Sequence, residues 1–292
     1  MIPAQFEYEV PGTLEEAVAL LAQDPDGTKV LAGGHSLIPA MKLRLAQPQK
    51  LIDIGRIPNL SYIREDGDLI LVGATTTHYQ LESSDLLRDI CPLLPECAKT
   101  IGDVQVRNKG TIGGSVAHCD PAGDWPAAVI ALNADVVLVG PNGERTLKVE
   151  EFFVDLLTTA LEPGEILREI RIPKPQGNFG HAYQKTPHPA SGFAVVGIAA
   201  NILVGDDGTC SAASLGVTGV ANKAYRPRAT ESALVGKKLD DETIATATTQ
   251  VCDGVDINSD LYASEEYRKN LAVVHTARAI KRARDKVNET RR

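Results

Sequence analysis

Hydrophobic positions recur with two different periods along this 292-residue chain, and the period predicts which segments are helices and which are strands. Near the N-terminus, apolar side chains at helical spacing follow Thr13, a residue type that caps helices, and Glu16 stands where a capping box requires it. A helix is therefore expected over residues 14–23. Strands are expected over residues 28–32 and 50–54, which gives the chain a βαβ-like opening.

The middle of the chain combines short apolar runs with clusters of turn-forming residues. Pro92 and Pro95 interrupt a helical pattern over residues 84–101, because proline lacks the N–H that a helix interior requires. The turn Pro141-Asn142-Gly143 lies between two β runs and predicts a hairpin. The other elements expected in this region are a strand at 69–74, a helix starting at Thr77, a helix capped by Asp124 and a strand at 165–172.

The pattern changes after the segment 173–177, where two prolines and a glycine interrupt all periodicity and indicate a linker. Long β runs follow at 193–204 and 210–220, and the segment Gly205-Asp206-Asp207-Gly208 between them predicts a hairpin. Helices are expected after these strands, at about 240–253 and 264–285.

A chain of this length can form two domains, each with its own core. The linker predicts a first domain over residues 1–176, made of lobes at about 1–55 and 56–176, and a second domain over residues 177–292. The second domain is expected to be a small α+β layer, an antiparallel sheet with helices.

Two glycine pairs are the strongest indication of chemistry in the sequence. Ala32-Gly33-Gly34-His35-Ser36 follows a predicted strand, and Thr111-Ile112-Gly113-Gly114-Ser115 follows a polar segment. A Gly-Gly pair permits positive φ angles and a close backbone approach, and successive N–H groups in such a turn can bind an anion. Two such turns, each with hydroxyl groups beside it, could hold a pyrophosphate from both sides. The pattern therefore favours a dinucleotide cofactor and redox chemistry, although it matches neither the P-loop nor the Rossmann fingerprint.

These residues carry a family resemblance. Together with Val104-Gln105-Val106-Arg107-Asn108-Lys109-Gly110 and Asp120-Pro121-Ala122-Gly123-Asp124, the glycine pairs resemble the FAD-binding medium subunits of molybdenum hydroxylases, the xanthine dehydrogenase family. The resemblance continues through the segment 188–197 to Tyr267-Arg268-Lys269 and so covers nearly the whole chain. The opening Met1-Ile2-Pro3, with Phe6-Glu7-Tyr8, is most similar to the aerobic carbon monoxide dehydrogenase branch.

The resemblance implies an α+β fold in which a two-lobed FAD-binding domain of the PCMH (vanillyl-alcohol-oxidase-like) type precedes a small C-terminal domain. FAD would lie extended in the crevice between the two domains. In the family, a large subunit carries the molybdenum cofactor and a small subunit carries two [2Fe–2S] clusters. The implied assembly is a dimer of such three-subunit units, with a quinone or NAD as the electron acceptor. The residues expected to bind FAD are Ala32, Gly33, Gly34, His35, Ser36, Thr111, Ile112, Gly113, Gly114, Ser115, Asp124 and Lys185.

Three of these residues have a plainer alternative role. Asp124 is expected near the ribityl chain of the flavin, and it could equally cap the helix that follows, two roles that are compatible. Lys185 matches a family lysine near the flavin ring, where a cation would stabilise an anionic reduced flavin. Its alternative is a solvated lysine at a strand end. His35 is either a neighbour of FAD or a side chain that bonds the turn backbone.

Composition and cysteine spacing argue against several other classes of function and site. The net charge of −8 argues against nucleic-acid binding, and no apolar run is long enough to span a membrane. No signal peptide is visible, so a cytoplasmic location is expected, with the complex able to hold the chain at the inner face of the membrane. The five cysteines show no CxxC spacing, which argues against disulfides, zinc or iron–sulfur ligation on this chain. His118, Cys119 and Asp120 are adjacent and are not expected to share a metal ion.

The sequence leaves two alternatives to an electron-transfer subunit of carbon monoxide dehydrogenase. The chain could serve a hydroxylase of an aldehyde, a purine or another N-heterocycle, because the medium subunit does not hold the substrate. It could also be a flavin-binding assembly subunit through which no electrons flow. No acid–base pair with convincing spacing is present, so no catalytic residue is expected on this chain.

Overall fold

A computed structural model describes residues 1–290, and a small parallel sheet opens the chain. Its elements are β1 (Glu7–Glu9), α1 (Leu14–Gln23), β2 (Thr28–Leu31), α2 (Leu37–Lys42) and β3 (Lys50–Asp53), with β3 between β1 and β2. Thr13 caps α1, since its Oγ1 accepts from the N–H of Glu16 at 3.1 Å. The Glu16 carboxylate accepts from the N–H of Gly12 at 2.7 Å, one residue further back than in a capping box. The predicted βαβ opening is confirmed.

A five-stranded antiparallel sheet with strand order β4-β5-β10-β6-β7 forms the centre of the molecule. The hairpin of β6 and β7 lies where the sequence predicts it. Helix α4 ends before Pro92 and α5 begins after it, while Pro95 stands in the first turn of α5, where a missing N–H is tolerated. The elements are β4 (Ile63–Asp66), β5 (Leu69–Gly73), α3 (His78–Ser83), α4 (Asp85–Ile90), α5 (Leu93–Lys99), α6 (Val104–Arg107), α7 (Ile112–His118), α8 (Asp124–Ala131), β6 (Asp135–Gly140), β7 (Gly143–Lys148), α9 (Val149–Phe152), β8 (Phe153–Asp155), β9 (Thr158–Thr159) and β10 (Ile166–Pro173).

A second antiparallel sheet, with strand order β11-β12-β13, begins the C-terminal part. It consists of β11 (Phe179–Pro187), β12 (Ala194–Val204) and β13 (Cys210–Thr218), and is followed by α10 (Arg228–Leu234), α11 (Asp241–Thr248) and α12 (Glu265–Thr290). The sequence pattern missed β11, because only Gly180, Ala182 and Tyr183 are buried in it and prolines and glycines flank it, so no apolar run marks the strand. Within residues 1–290, no helix is both long and apolar enough to cross a membrane.

The second sheet is covered on both faces, which explains the nearly continuous apolar sequence of β12. Helix α8 packs on one face and α12 on the other. Alternate residues of the sheet accordingly belong to two different cores: Ala199 packs with α8, and Ile198 packs with α12. All eight residues of α8 are buried, since this helix lies between the second sheet and the rest of the central core.

The packing of α8 on β13 depends on Gly216. A Cβ atom at Gly216 would lie 2.0 Å from the carbonyl oxygen of Ala127 in α8. Real Cβ atoms do not approach a backbone oxygen so closely, so any side chain here must push the sheet and the helix apart. Gly216 therefore sets the distance between the C-terminal sheet and α8.

Gly216→Ala is expected to lower the free energy of unfolding by about 2 kcal/mol, the usual cost of overpacking a rigid contact. Gly12→Ala is the control, because its Cβ would meet only the flexible Glu16 side chain at 3.5 Å. Denaturant unfolding of both variants checks this. Equal stability of the two variants would contradict the proposed role of Gly216.

Candidate functional site

The two glycine segments, separated by almost eighty residues, meet in the folded chain. A Cβ atom at Gly33 would lie 2.1 Å from the carbonyl oxygen of Lys109, just before the second segment. A Cβ atom at Gly114 would lie 4.0 Å from the Cβ of Ala32. The first contact leaves no room for a side chain, so glycine at position 33 is required by space. The sheet that carries β2 thus brings segment 32–36 directly against segment 111–115.

The first segment has free hydrogen-bond donors. Gly34 adopts a positive φ of 74°, which turns the chain from β2 into α2. In the described part of the chain, the backbone N–H groups of residues 33–36 donate to no protein acceptor. Ser36 precedes α2, but its hydroxyl makes no capping bond and is also available. His35 Nδ1 lies 2.9 Å from the carbonyl oxygen of Gly33, so the histidine does contact the turn backbone.

The second segment differs from the predicted turn, because it is the N-terminal end of helix α7. Thr111 is the N-cap, and its Oγ1 accepts from the N–H of Gly114 at 3.1 Å. The N–H groups of Ile112 and Gly113 donate to carbonyl oxygens of the loop after β5, and that of Ser115 donates to Thr111. The expectation that both segments expose free N–H groups is therefore wrong for the second one. Of its side chains, the hydroxyl of Ser115 makes no hydrogen bond within residues 1–290.

The reason for glycine in the second segment is also different from the predicted one. Gly113 and Gly114 are helical, and neither has a positive φ. A Cβ atom at Gly113 would lie 2.5 Å from the Cβ of Ala74. Gly114 is exposed on the side that faces the first segment, and its absent side chain leaves that surface open. Space rather than backbone conformation selects glycine at both positions.

His78 packs against Gly110, just before the second segment, and no sequence pattern predicted this role. It is 5% exposed, and its Nδ1 accepts from Trp125 Nε1 at 2.9 Å. A Cβ atom at Gly110 would lie 2.6 Å from its Nε2. Burial, together with the nearby His35 and Arg107, lowers the pKa of His78 to about 4. The sequence predicted a helix starting at Thr77, but no pattern indicated that the next side chain turns inward.

Arg107 orders the loop before the second segment. Its side chain is 13% exposed, and its Nε donates to Glu82 at 2.7 Å. One terminal nitrogen also donates to the carbonyl oxygens of Ile101 and Gly102. Arg107 is thus an anchored side chain rather than a solvated one.

Asp124 and Lys185 form a buried ion pair between α8 and β11. Lys185 Nζ donates to Asp124 Oδ2 at 2.9 Å, and the side chains are 4% and 5% exposed. The hydroxyl of Tyr183 donates to the other carboxylate oxygen at 2.6 Å, and Lys185 also donates to the carbonyl oxygen of Thr100 at 3.1 Å. Burial raises the pKa of Asp124, while Lys185 and Tyr183 oppose that change.

The geometry of this pair excludes the two alternative roles that the sequence left open. Lys185 is not a solvated lysine at a strand end, because its ammonium group is enclosed by Asp124 and Thr100. Asp124 is not the N-cap of its helix: Gly123 holds that position, and Asp124 is the first helical residue. Its carboxylate turns towards β11 instead of capping the backbone.

The site's donors fit an anionic cofactor. The two segments that meet here contain N–H groups and two hydroxyls, those of Ser36 and Ser115, that the protein does not use, and such donors bind phosphate oxygens. Elsewhere, the five cysteines are buried free thiols. Among residues 1–290, no three His, Cys, Asp or Glu side chains come together as a metal site would require.

Comparisons with known proteins show the family of the chain. Residues 4–175 match the family described as the FAD binding domain in molybdopterin dehydrogenase, and residues 181–283 match the CO dehydrogenase flavoprotein C-terminal domain. The carbon monoxide dehydrogenase medium chain of Hydrogenophaga pseudoflava is 42% identical, over 97% of this chain and 98% of its own. The glyceraldehyde dehydrogenase medium chain of Sulfolobus acidocaldarius is 35% identical, over 96% of this chain and 99% of its own.

A solved structure shares the whole fold. It is carbon monoxide dehydrogenase from Hydrogenophaga pseudoflava, in a form that lacks the Mo-pyranopterin moiety of the molybdenum cofactor. The TM-score is 0.94 at 43% sequence identity, and the match covers 97% of this chain and 98% of the solved one. The predicted FAD-binding fold and the C-terminal antiparallel sheet with helices are thereby confirmed.

Ser36→Ala is expected to weaken FAD binding at least about tenfold, because a hydrogen bond to a charged phosphate contributes roughly 1.5–3 kcal/mol. Its hydroxyl makes no capping bond in the protein, so the melting temperature of the cofactor-free protein should not change. Titration of FAD into the deflavinated protein measures the effect, with the exposed Ser232→Ala as control. A dissociation constant equal to that of the control would remove Ser36 from the site.

His78 is expected to make stability depend on pH. Its folded pKa of about 4 lies below the unfolded value near 6.5, so protonation favours the unfolded chain. The stabilisation is complete above pH 6.5 and is lost as the pH falls towards 4. Between pH 7 and pH 5, the free energy of unfolding of the wild type should fall by about 2 kcal/mol more than that of His78→Gln. The amide oxygen of this variant can still accept from Trp125.

The matched control for this measurement is His118→Gln, a histidine that is 38% exposed. Denaturant unfolding at pH 7 and pH 5 compares the three proteins. If His118→Gln removed as much of the pH dependence as His78→Gln, a buried neutral His78 would not be its source.

Proposed function

This chain belongs to the FAD-binding medium subunits of the molybdenum hydroxylases, and we propose that it is the electron-transfer subunit of an aerobic carbon monoxide dehydrogenase. In this proposal, electrons reach it from the [2Fe–2S] clusters of a small partner subunit. They leave it for an external acceptor, a quinone or NAD. A large partner subunit with the molybdenum cofactor would oxidise the substrate, in a dimer of three-subunit units in the cytoplasm or at the inner face of the membrane.

One observation carries the proposal: the two glycine segments meet, and both contain donors that the protein does not use. The N–H groups of residues 33–36 and the hydroxyls of Ser36 and Ser115 would hold the FAD pyrophosphate. Ala32 and Thr111 shape the walls beside them, and Gly114 leaves the space open. FMN, with a single phosphate, would need only one such segment.

The ring end of the cofactor would lie towards Asp124 and Lys185. When bound, FAD supplies a two-electron store that can be filled and emptied one electron at a time. The chain itself supplies orientation and charge. The Lys185 ammonium group is held in a buried ion pair with the Asp124 carboxylate, so its position cannot fluctuate as that of a surface lysine does. Its charge is balanced by Asp124, so any effect on an anionic reduced ring would come from the fixed direction of this ammonium–carboxylate dipole and not from a net positive charge.

Sequence similarity supports carbon monoxide as the substrate of the whole enzyme. Identity to the carbon monoxide dehydrogenase medium chain is 42%, against 35% for the glyceraldehyde dehydrogenase medium chain, at nearly the same coverage. Hydroxylation of an aldehyde, a purine or another N-heterocycle is the second candidate, because a medium subunit does not contact the substrate.

The proposal is tested in the complex co-expressed with its large and small partners. When the complex is mixed with carbon monoxide, stopped-flow absorbance should show the flavin bleaching within the time of one turnover. The isolated chain should show only weak diaphorase activity. Released cofactor should chromatograph as FAD. A flavin that stays oxidised while substrate is consumed would support an assembly role instead. Reduction by an aldehyde but not by carbon monoxide would support the second candidate.

A further inference from the structure

Glu96, in helix α5, is the centre of a polar cluster that the function described so far does not use. Its carboxylate is 18% exposed and accepts from the backbone N–H of Tyr183 at 2.9 Å. It also pairs with Arg282 at 3.1 Å and with Lys286 at 2.6 Å, both on α12. One side chain of the FAD-binding part therefore holds a strand and a helix of the C-terminal part.

The strand that Glu96 holds is an edge strand. In the described residues, β11 pairs only with β12, so no strand bonds to the backbone groups of its other edge. On that edge, the N–H of Tyr183 donates to Glu96, and the carbonyl oxygen of His181 accepts from Lys286 at 2.9 Å. The ion pair of Glu96 and Lys286 thus occupies the place of a neighbouring strand: it accepts one backbone bond and donates the next.

This contact fixes the residues that approach Asp124. Tyr183 and Lys185 are two positions apart on β11, so their side chains lie on the same face of the sheet. Both reach the Asp124 carboxylate, one through its hydroxyl and one through its ammonium group. A shift of β11 along α5 would move both donors together. The backbone bond from Tyr183 to Glu96 prevents such a shift.

We propose that Glu96 is a positioning residue for the flavin site: with Lys286 it replaces a strand at the edge of β11 and thereby holds Lys185 at a fixed place beside the flavin. The proposal rests on the proposed function, because it takes Lys185 as a neighbour of the FAD ring. It assigns no contact between Glu96 and the cofactor.

Two properties of Glu96 can be separated by substitution. Its oxygen accepts the backbone N–H of Tyr183, and its charge balances Arg282 and Lys286. Glu96→Gln keeps an acceptor oxygen of the same reach and loses the charge, whereas Glu96→Ala loses both. If Glu96 acts by positioning, the glutamine variant must recover part of what the alanine variant loses.

A matched control exists at another contact between the two parts of the chain. Glu150 in α9 pairs with Arg228 in α10 at 2.7 Å, and these side chains are 39% and 65% exposed. Glu150→Ala therefore also removes an ion pair between the two parts, but it leaves β11 and its contacts unchanged. It reports what the loss of an ordinary inter-element salt bridge does to stability.

The experiment uses the co-expressed complex and compares wild type, Glu96→Gln, Glu96→Ala and Glu150→Ala. FAD release after dilution, the flavin midpoint potential by dithionite titration and the melting temperature are measured. Glu96→Ala is expected to release FAD about tenfold faster and to shift the potential, with Glu96→Gln between it and wild type. Glu150→Ala should lower the melting temperature no more than Glu96→Ala does, with unchanged FAD release and potential.

Unchanged FAD release and potential in Glu96→Ala would overturn the proposal, as would equal effects of Glu96→Ala and Glu150→Ala. If Glu96→Ala does not assemble, Glu96→Gln decides the matter, since wild-type release and potential in that variant also overturn the proposal. Dithionite reduces the flavin without partner clusters or substrate. A failure of electron flow from carbon monoxide, which would contradict the proposed function, can therefore be distinguished from a failure of the positioning role of Glu96.

Discussion

The buried ion pair between Asp124 and Lys185 is the interaction on which the geometry of the site depends. Removing two charges from water costs more than most buried pairs regain, so such a pair is weak evidence for stability. Its effect is on specificity, because each charge has one acceptable partner in the protein interior. Any arrangement that displaced β11 from α8 would leave an unpaired charge in a dry environment. The pair therefore selects one placement of the C-terminal sheet.

The two glycine segments contribute different groups to the site, a difference that the sequence alone did not reveal. Both contain Gly-Gly followed within two residues by serine, and both seemed able to offer a row of N–H groups. Only the first does, because Gly34 turns the chain away from β2 before α2 begins. The second is already helical, and Thr111 and the loop after β5 use its donors. Its contribution is an open surface and a hydroxyl.

Much of the fold followed from hydrophobic period and turn residues. The parallel opening, the hairpin of β6 and β7 and the long strands β12 and β13 lie near the predicted positions. Strand β11 was missed, because an edge strand held by side chains from α5 and α12 needs no apolar alternation of its own. The burial of His78 and the pairing of Lys185 with Asp124 were beyond sequence analysis as well. Both depend on contacts between residues more than forty positions apart, which no local pattern records.

Helix α8 has no face in contact with solvent, and this has a consequence during synthesis of the chain. The ribosome completes α8 long before residues 194–218, whose strands cover its outer face. Until those strands emerge, the nascent chain displays an apolar surface that includes Ala127 and Ala131. Such a surface attracts chaperones or other nascent chains. The first part of this protein therefore cannot reach its final packing before the second part leaves the ribosome.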